Sequence, residues 1–149
     1  MSDADFREFV DVMIPAYAAD KVASGQWPEG ESFELARKQF EELLPQGRLT
    51  ADHYLFNVID DAGTIVGTLW LARKEQAGKH IAYVYDLLIR SEWRRRGYAK
   101  CVLEAAEAEA RRLGLCGIGL HVFGHNSGAR LLYERLGYQI TNINMFKSL

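Results

Sequence analysis

Arg94, Arg95, Arg96, Gly97, Tyr98 and Ala99 follow one another where an apolar run at 81–89 gives way to a segment of helical period. Their types suit one task, the holding of an anion. A strand that ends in a basic turn and feeds a helix start presents unpaired backbone N–H groups, and the positive end of a helix dipole, to one small volume. A pyrophosphate fits there, with Lys100 as a further nearby cation. Gly97 serves this reading because a Cβ at that point would intrude on a bulky anion. An ordinary basic helix start that tolerates a glycine would look the same, so the neighbouring elements must decide.

The helix is marked by Ala99, Val102, Leu103, Ala106, Ala110 and Leu113 at helical spacing, with Glu104, Glu107 and Arg111 off that stripe and Gly114 as the stop. A second apolar run at 117–123 precedes Asn126, which is placed to cap a further helix. That helix carries Ala129, Leu132, Tyr133 and Leu136 on one face and ends at Gly137.

In this order the segments resemble the GNAT superfamily of acyl-CoA-dependent N-acetyltransferases. Arg94-x-x-Gly97-x-Ala99 is similar to that family's R/Q-x-x-G-x-G/A pyrophosphate loop, and NSGARLLYERLGY at 126–138 is similar to its second signature, N-x-x-A-x-x-L-Y-x-x-x-G-F/Y. Two degenerate motifs in the right order and at the usual separation are far more specific than either alone. The resemblance runs from His53 to the end. LPQGRLTADH, VGTLWL and the closing NMFK are similar to a bacterial branch of undefined substrate, and the region before Leu43 carries little of the match.

The resemblance implies transfer of acetyl from acetyl-CoA to a primary amine by direct attack in a ternary complex. Arg94, Arg95, Arg96, Gly97, Tyr98, Ala99 and Lys100 would then hold the cofactor's phosphates. Leu88 and Ile89, on a strand end that splays from its neighbour, would pair with the pantetheine arm through main-chain groups. One N–H there would steady the developing oxyanion. Asn126 would touch the arm besides capping its helix. Tyr133 matches the family tyrosine whose hydroxyl approaches the sulfur. A phenol of pKa about 10 can hand a proton to a thiolate whose conjugate acid, with cysteine as the guide, has a pKa of ~8.5. A tyrosine among apolar neighbours at helical spacing is equally what a core contains.

Members of the family often carry a Glu or His at alternate positions of the strand corresponding to 81–89. Here those positions are Tyr83 and Tyr85, while the one carboxylate of the strand, Asp86, has the opposite parity. Asp86 reaches the site across a β-bulge or through water, or else is a structural hydrogen-bond partner at the splay. Tyr17, Trp27, Tyr83 and Tyr85 are expected to wall the acceptor pocket between the first two helices and the sheet. Such a wall suits an amine's stem or an aromatic ring, and equally plain packing. The alternative from another class is a non-catalytic acyl-CoA-binding or sensing module, which would keep the loop and need no base.

Composition narrows the field further. At 149 residues the chain reads as one domain, 1–149, able to bury about 70% of its unfolded surface. A net charge of −2 with interspersed signs gives no reason for a nucleic-acid or anionic-membrane partner. The expected partner is a small-molecule or peptide amine, and either a monomer or a homodimer is compatible. No apolar stretch approaches a membrane span, and MSDADFREF lacks the order of a signal peptide, so a cytoplasmic location is expected. Cys101 and Cys116 form no C-x-x-C pair and read as reduced core or near-core residues. His121 and His125 are four apart on a strand end and a loop, not on one helix face, and no metal is expected.

The elements that must position these residues follow from periodicity. Phe6, Phe9, Val10, Met13 and Tyr17 mark a first helix, which Pro15 should kink or break into two segments. A loop at 25–30 leads to Ser32 as the cap of a second helix, with Phe33, Ala36, Phe40 and Leu43 inward and Pro45 and Gly47 at its end. Strands at 53–59 and 64–72 flank a hairpin turn, the strand at 81–89 joins them, and 138–146 adds a last strand. Family members usually open with a strand, which here is missing or vestigial. The predicted fold is α/β and GNAT-like, a mixed, mostly antiparallel sheet of about six strands with helices on both faces.

Overall fold

A computed structural model describes residues 1–147. Ser2 opens the first helix: its hydroxyl accepts from the Asp5 N–H while the Asp5 carboxylate accepts from the Ser2 N–H, a reciprocal capping box. Helix α1 spans Asp3–Ala23 and α2 spans Glu29–Leu43. The strands are β1 (His53–Ile59), β2 (Ile65–Gln76), β3 (Lys79–Ile89) and β4 (Ile118–Leu120), with α3 (Tyr98–Arg112) before β4 and α4 (Ser127–Arg135) after it. Among the described residues α1 is the first element, and none of the described helices is long and apolar enough to cross a membrane.

The sheet order is β1-β2-β3-β4, antiparallel across the first two pairs and parallel at β3–β4. Helices cover both of its faces. On one side Phe9, Ile14 and Ala18 of α1 and Ala36 and Phe40 of α2 close over Leu55 and Trp70. On the other, Leu103 and Ala106 of α3 pack on Leu69, Leu71 and Val84, with Leu132, Tyr133 and Leu136 of α4 beside them. A third group, Val58, Val66 and Ile89 with Trp93, Tyr98 and Val102, ties the end of β3 to the start of α3. Gly67 permits this closeness, since a Cβ there would stand 2.2 Å from the Leu88 carbonyl oxygen.

Several expectations are corrected. Four strands form among the described residues, not about six. The run at 138–147 has no strand and leaves Ile140, Ile143, Met145 and Phe146 exposed. Its apolar positions change parity between Ile140 and Ile143, so no single face can be buried. Pro15 lies inside an unbroken α1, where burial of Phe9, Ile14 and Ala18 on both sides of it outweighs the lost N–H bond. Pro28 flanks the start of α2 and Ser32 lies within it, buried, its hydroxyl donating to the Glu29 carbonyl. Phe33 and both cysteines are exposed. Cys101 falls on the solvent side of α3, opposite the buried stripe of Leu103, Ala106 and Ala110. Cys116 sits in the loop before the short β4.

Candidate active site

The turn at 94–97 is built by backbone strain and one side-chain tether. Arg95 has φ +61° and Gly97 φ +90°, conformations that turn neighbouring amides outward. The Arg94 guanidinium donates to the Ile89 carbonyl at 2.9 Å, fastening the loop to the end of β3. Among the described residues, none of the N–H groups from Arg95 to Lys100 donates to a backbone carbonyl. A Cβ built on Gly97 meets nothing within 4 Å. Open space in front of undonated amides at a helix N-terminus is what an anion requires. The side chains are less free than the sequence implied. Arg94 is engaged, Arg96 lies over the Trp93 ring at 4.9 Å, Lys100 pairs with Glu104 at 3.3 Å, and Ala99 and Tyr98 pack inward. Arg95 makes no ion pair among the described residues.

Beside this turn the sheet opens. β4 pairs with β3 only at Ala82, Tyr83 and Val84, so from Tyr85 onward no described strand pairs with the facing edge of β3. The Arg90 N–H donates to the Val66 carbonyl, and by antiparallel alternation the main chain of Leu88 also faces β2. Leu87 and Ile89 therefore turn their main-chain groups into the cleft. The sequence reading names Leu88 and Ile89, whereas the backbone turns Leu87 and Ile89 to the open edge, because the alternation is set by pairing with β2 and leaves no mark on side-chain type.

A bulge, one of the routes open to Asp86, is present in β3. Trp70 opposes Asp86 and Leu71 opposes Val84, so Tyr85 is the extra residue of β3. Cross-strand partners share a face, and Asp86 is thereby brought to the same side as Tyr83. Its Oδ2 is shut off from solvent with no hydrogen-bond partner. Burial pushes its pKa up to about 7, while the Leu87 N–H, a cleft-facing donor, pulls the other way. The residue as a whole is half-buried, but the carboxyl oxygen is fully enclosed. Tyr133, half-buried on α4, has its pKa raised by burial and then by the negative field of Asp86. The two groups thus share one electrostatic environment. Tyr138 extends it: its ring lies 5.6 Å from that of Tyr133, its buried hydroxyl has no partner, and burial pushes its pKa up to about 12. The Asn126 side chain accepts from the Ala129 N–H, capping α4.

The four aromatic residues expected to wall a pocket do lie on the α1–α2 side. Tyr17 meets Trp27 edge to face at 5.6 Å, and Tyr83 meets Tyr85 at 4.9 Å. These rings belong to a larger aromatic cluster. Tyr85 stacks on Trp70 at 4.6 Å and on His53 at 5.6 Å, and Phe123 approaches Tyr17. The Trp70 indole donates to His53 Nδ1 at 2.9 Å, which fixes that ring as neutral with its proton on Nε2. The register of the predicted hairpin already sets His53 near Trp70, and could have indicated this pair. A groove under α1 lined by Phe9, Met13, Thr68, Leu88 and Arg90 touches neither Asp86 nor Tyr133, so it is separate from the splay.

Comparison with known proteins bears on this arrangement. The profile described as the acetyltransferase (GNAT) family matches residues 16–138. That match begins within α1, well before the region where the motifs are legible. The chain is 34% identical over 149 residues to the N-acetyltransferase YdgE of Bacillus subtilis (strain 168), covering all of this chain and 95% of that protein. It is 36% identical over 149 residues to the N-acetyltransferase YycN of the same organism, covering 96% of that protein. A crystal structure of YycN superposes with a TM-score of 0.94 over 100% of this chain and 95% of the other. An acetyl transferase structure from Pyrococcus furiosus gives 0.71 at 25% identity, covering 95% of each chain. The chain belongs to the GNAT acetyltransferase family, and is an N-acetyltransferase.

Proposed function

We propose that this acetyltransferase passes acetyl from acetyl-CoA to a primary amine by direct attack, with both substrates held at the β3–β4 splay. The observation that carries the reading is Asp86, whose Oδ2 is enclosed with no partner among the described residues, at the bulge where the strands part; burial pushes its pKa up to about 7. A base poised near neutral pH can take a proton from an attacking amine and still release it afterwards.

Acetyl-CoA, when bound, supplies a thioester carbonyl and a thiolate leaving group. The undonated amides of Arg95 to Lys100 fit its pyrophosphate, and Gly97 leaves them uncovered. Leu87 and Ile89 offer main-chain groups along the cleft to the pantetheine arm, although the Ile89 carbonyl already accepts from Arg94. As the new C–N bond forms, Asp86 takes the amine proton. As the C–S bond breaks, Tyr133 gives its hydroxyl proton to the sulfur, and its raised pKa keeps that proton in place beforehand. The aromatic wall orients the acceptor, a small-molecule or peptide amine.

The test is release of free thiol from acetyl-CoA over a panel of primary amines. Amine-dependent release that drops at least about a hundredfold in Asp86→Asn is expected. Thermal stabilisation by CoA with no thiol release from any amine would instead match a non-catalytic binding module.

A further inference from the structure

Two cations stand on the aromatic wall without a carboxylate partner. The Lys21 ammonium lies 5.3 Å from the Tyr17 ring centroid, 5.2 Å from that of Trp27 and 6.0 Å from that of Phe123. Its hydrogen bond goes to the neutral amide oxygen of Gln26 at 2.7 Å. The Lys74 ammonium lies 4.6 Å from the Tyr83 centroid and 5.9 Å from that of Tyr85. Neither forms an ion pair among the described residues, whereas helix-surface cations such as Arg37, Arg112 and Arg130 pair with acids within a turn. The carboxylate next to Lys21 in sequence, Asp20, is turned to His125 at 2.8 Å.

Ring faces attract an ammonium but cancel none of its charge. The wall therefore carries two cations without an ion-pair partner among the described residues: Lys21 is half-buried, its pKa lowered by burial, and Lys74 is exposed. A polycationic acceptor would be repelled here, and an anion would gain charge-assisted hydrogen bonds.

We propose that the acceptor amine carries an anionic group that docks on Lys21 and Lys74, with its stem along Tyr17, Tyr83 and Tyr85 and its amine directed to Asp86. This specificity rests on the proposed transfer to an amine at the splay.

The test compares ω-aminocarboxylates of increasing length, and para-aminomethylbenzoate, with their carboxamides and with para-xylylenediamine. Binding to the CoA-loaded protein is measured by calorimetry, and acetylation by thiol release. At least one carboxylate should bind about tenfold or more tightly than its amide. Lys21→Met should erase that preference while leaving amide binding unmoved, Lys21→Arg should restore it, and Lys74→Met should weaken it. The loss should appear in KM and not in kcat. Equal binding of acids and amides at every length, or preference for the diamine, would overturn the proposal. So would acetylation of Lys21 itself, seen by mass spectrometry after incubation with acetyl-CoA. A carboxylate preference in binding without any thiol release would leave this proposal standing and sink the catalytic one. Thiol release without that preference would do the reverse.

Discussion

At the residue scale, a carboxyl with a pKa of about 7 is about half ionised at neutral pH, and its position must weaken the fold. The folded-state pKa lies above the ordinary value of 3.8. As pH rises the unfolded chain therefore releases this proton first. Stability falls between about pH 4 and pH 7 and is level above that, a cost on the order of 4 kcal/mol. Asp86→Asn should be more stable than the parent at pH 8, with the gap closing toward pH 4, as read by urea denaturation at each pH. A loss of stability at every pH would show instead that Asp86 is a satisfied hydrogen-bond partner. His53 acts with the opposite sign: burial lowers its pKa, so its contribution is lost as pH falls below its ordinary range. Comparing the variant with the parent isolates Asp86 from that effect. For Tyr133, replacement by Phe should lower kcat roughly a hundredfold with CoA affinity nearly intact, because only the proton donor is removed. Parallel loss of CoA binding and turnover would return Tyr133 to a packing role.

At the element scale, the start of α3 is the feature on which cofactor binding depends. Gly97→Glu should abolish CoA-induced thermal stabilisation by filling the space in front of the amides and placing a negative charge in it. Gly97→Ala should retain part of it, since its φ of +90° strains a Cβ that meets no atom. A full CoA shift in Gly97→Glu would refute the pyrophosphate assignment. The elements easiest to read were those whose signal is local. His53–Ile59 was legible to the residue from its β-favouring residues and the turn after it, and Gly114 and Gly137 were legible as stops because they adopt positive φ. What the sequence hid is set between elements. Tyr85 bears no mark of being the bulge, which arises only from the register against Trp70 and Leu71. Pro15 and Ser32 misled because tertiary burial overrode their local preferences, and 138–146 misled because β-favouring residues need a partner edge. For the candidate site, motif matching points to the loop, Asn126 and Tyr133. It could not locate Lys21, Lys74 or Trp70, which meet only through packing.

At the scale of the molecule, one four-stranded sheet carries helices on both faces, and its parted edge lies between them. A cofactor held by β3 and the start of α3 as proposed binds only the folded chain and so should stabilise it. CoA at a hundred times its dissociation constant should add about 2.7 kcal/mol. Whether Asp86 takes the amine proton is read from the dependence of kcat/KM on pH, with wild type and Asp86→Asn compared on one primary amine acceptor. The wild-type rate should climb with pH to an inflection at about 7, the Asp86 value, while the variant should run at least about a hundredfold slower and lack that inflection. An Asp86→Asn protein with the full rate and an unchanged inflection would contradict the account.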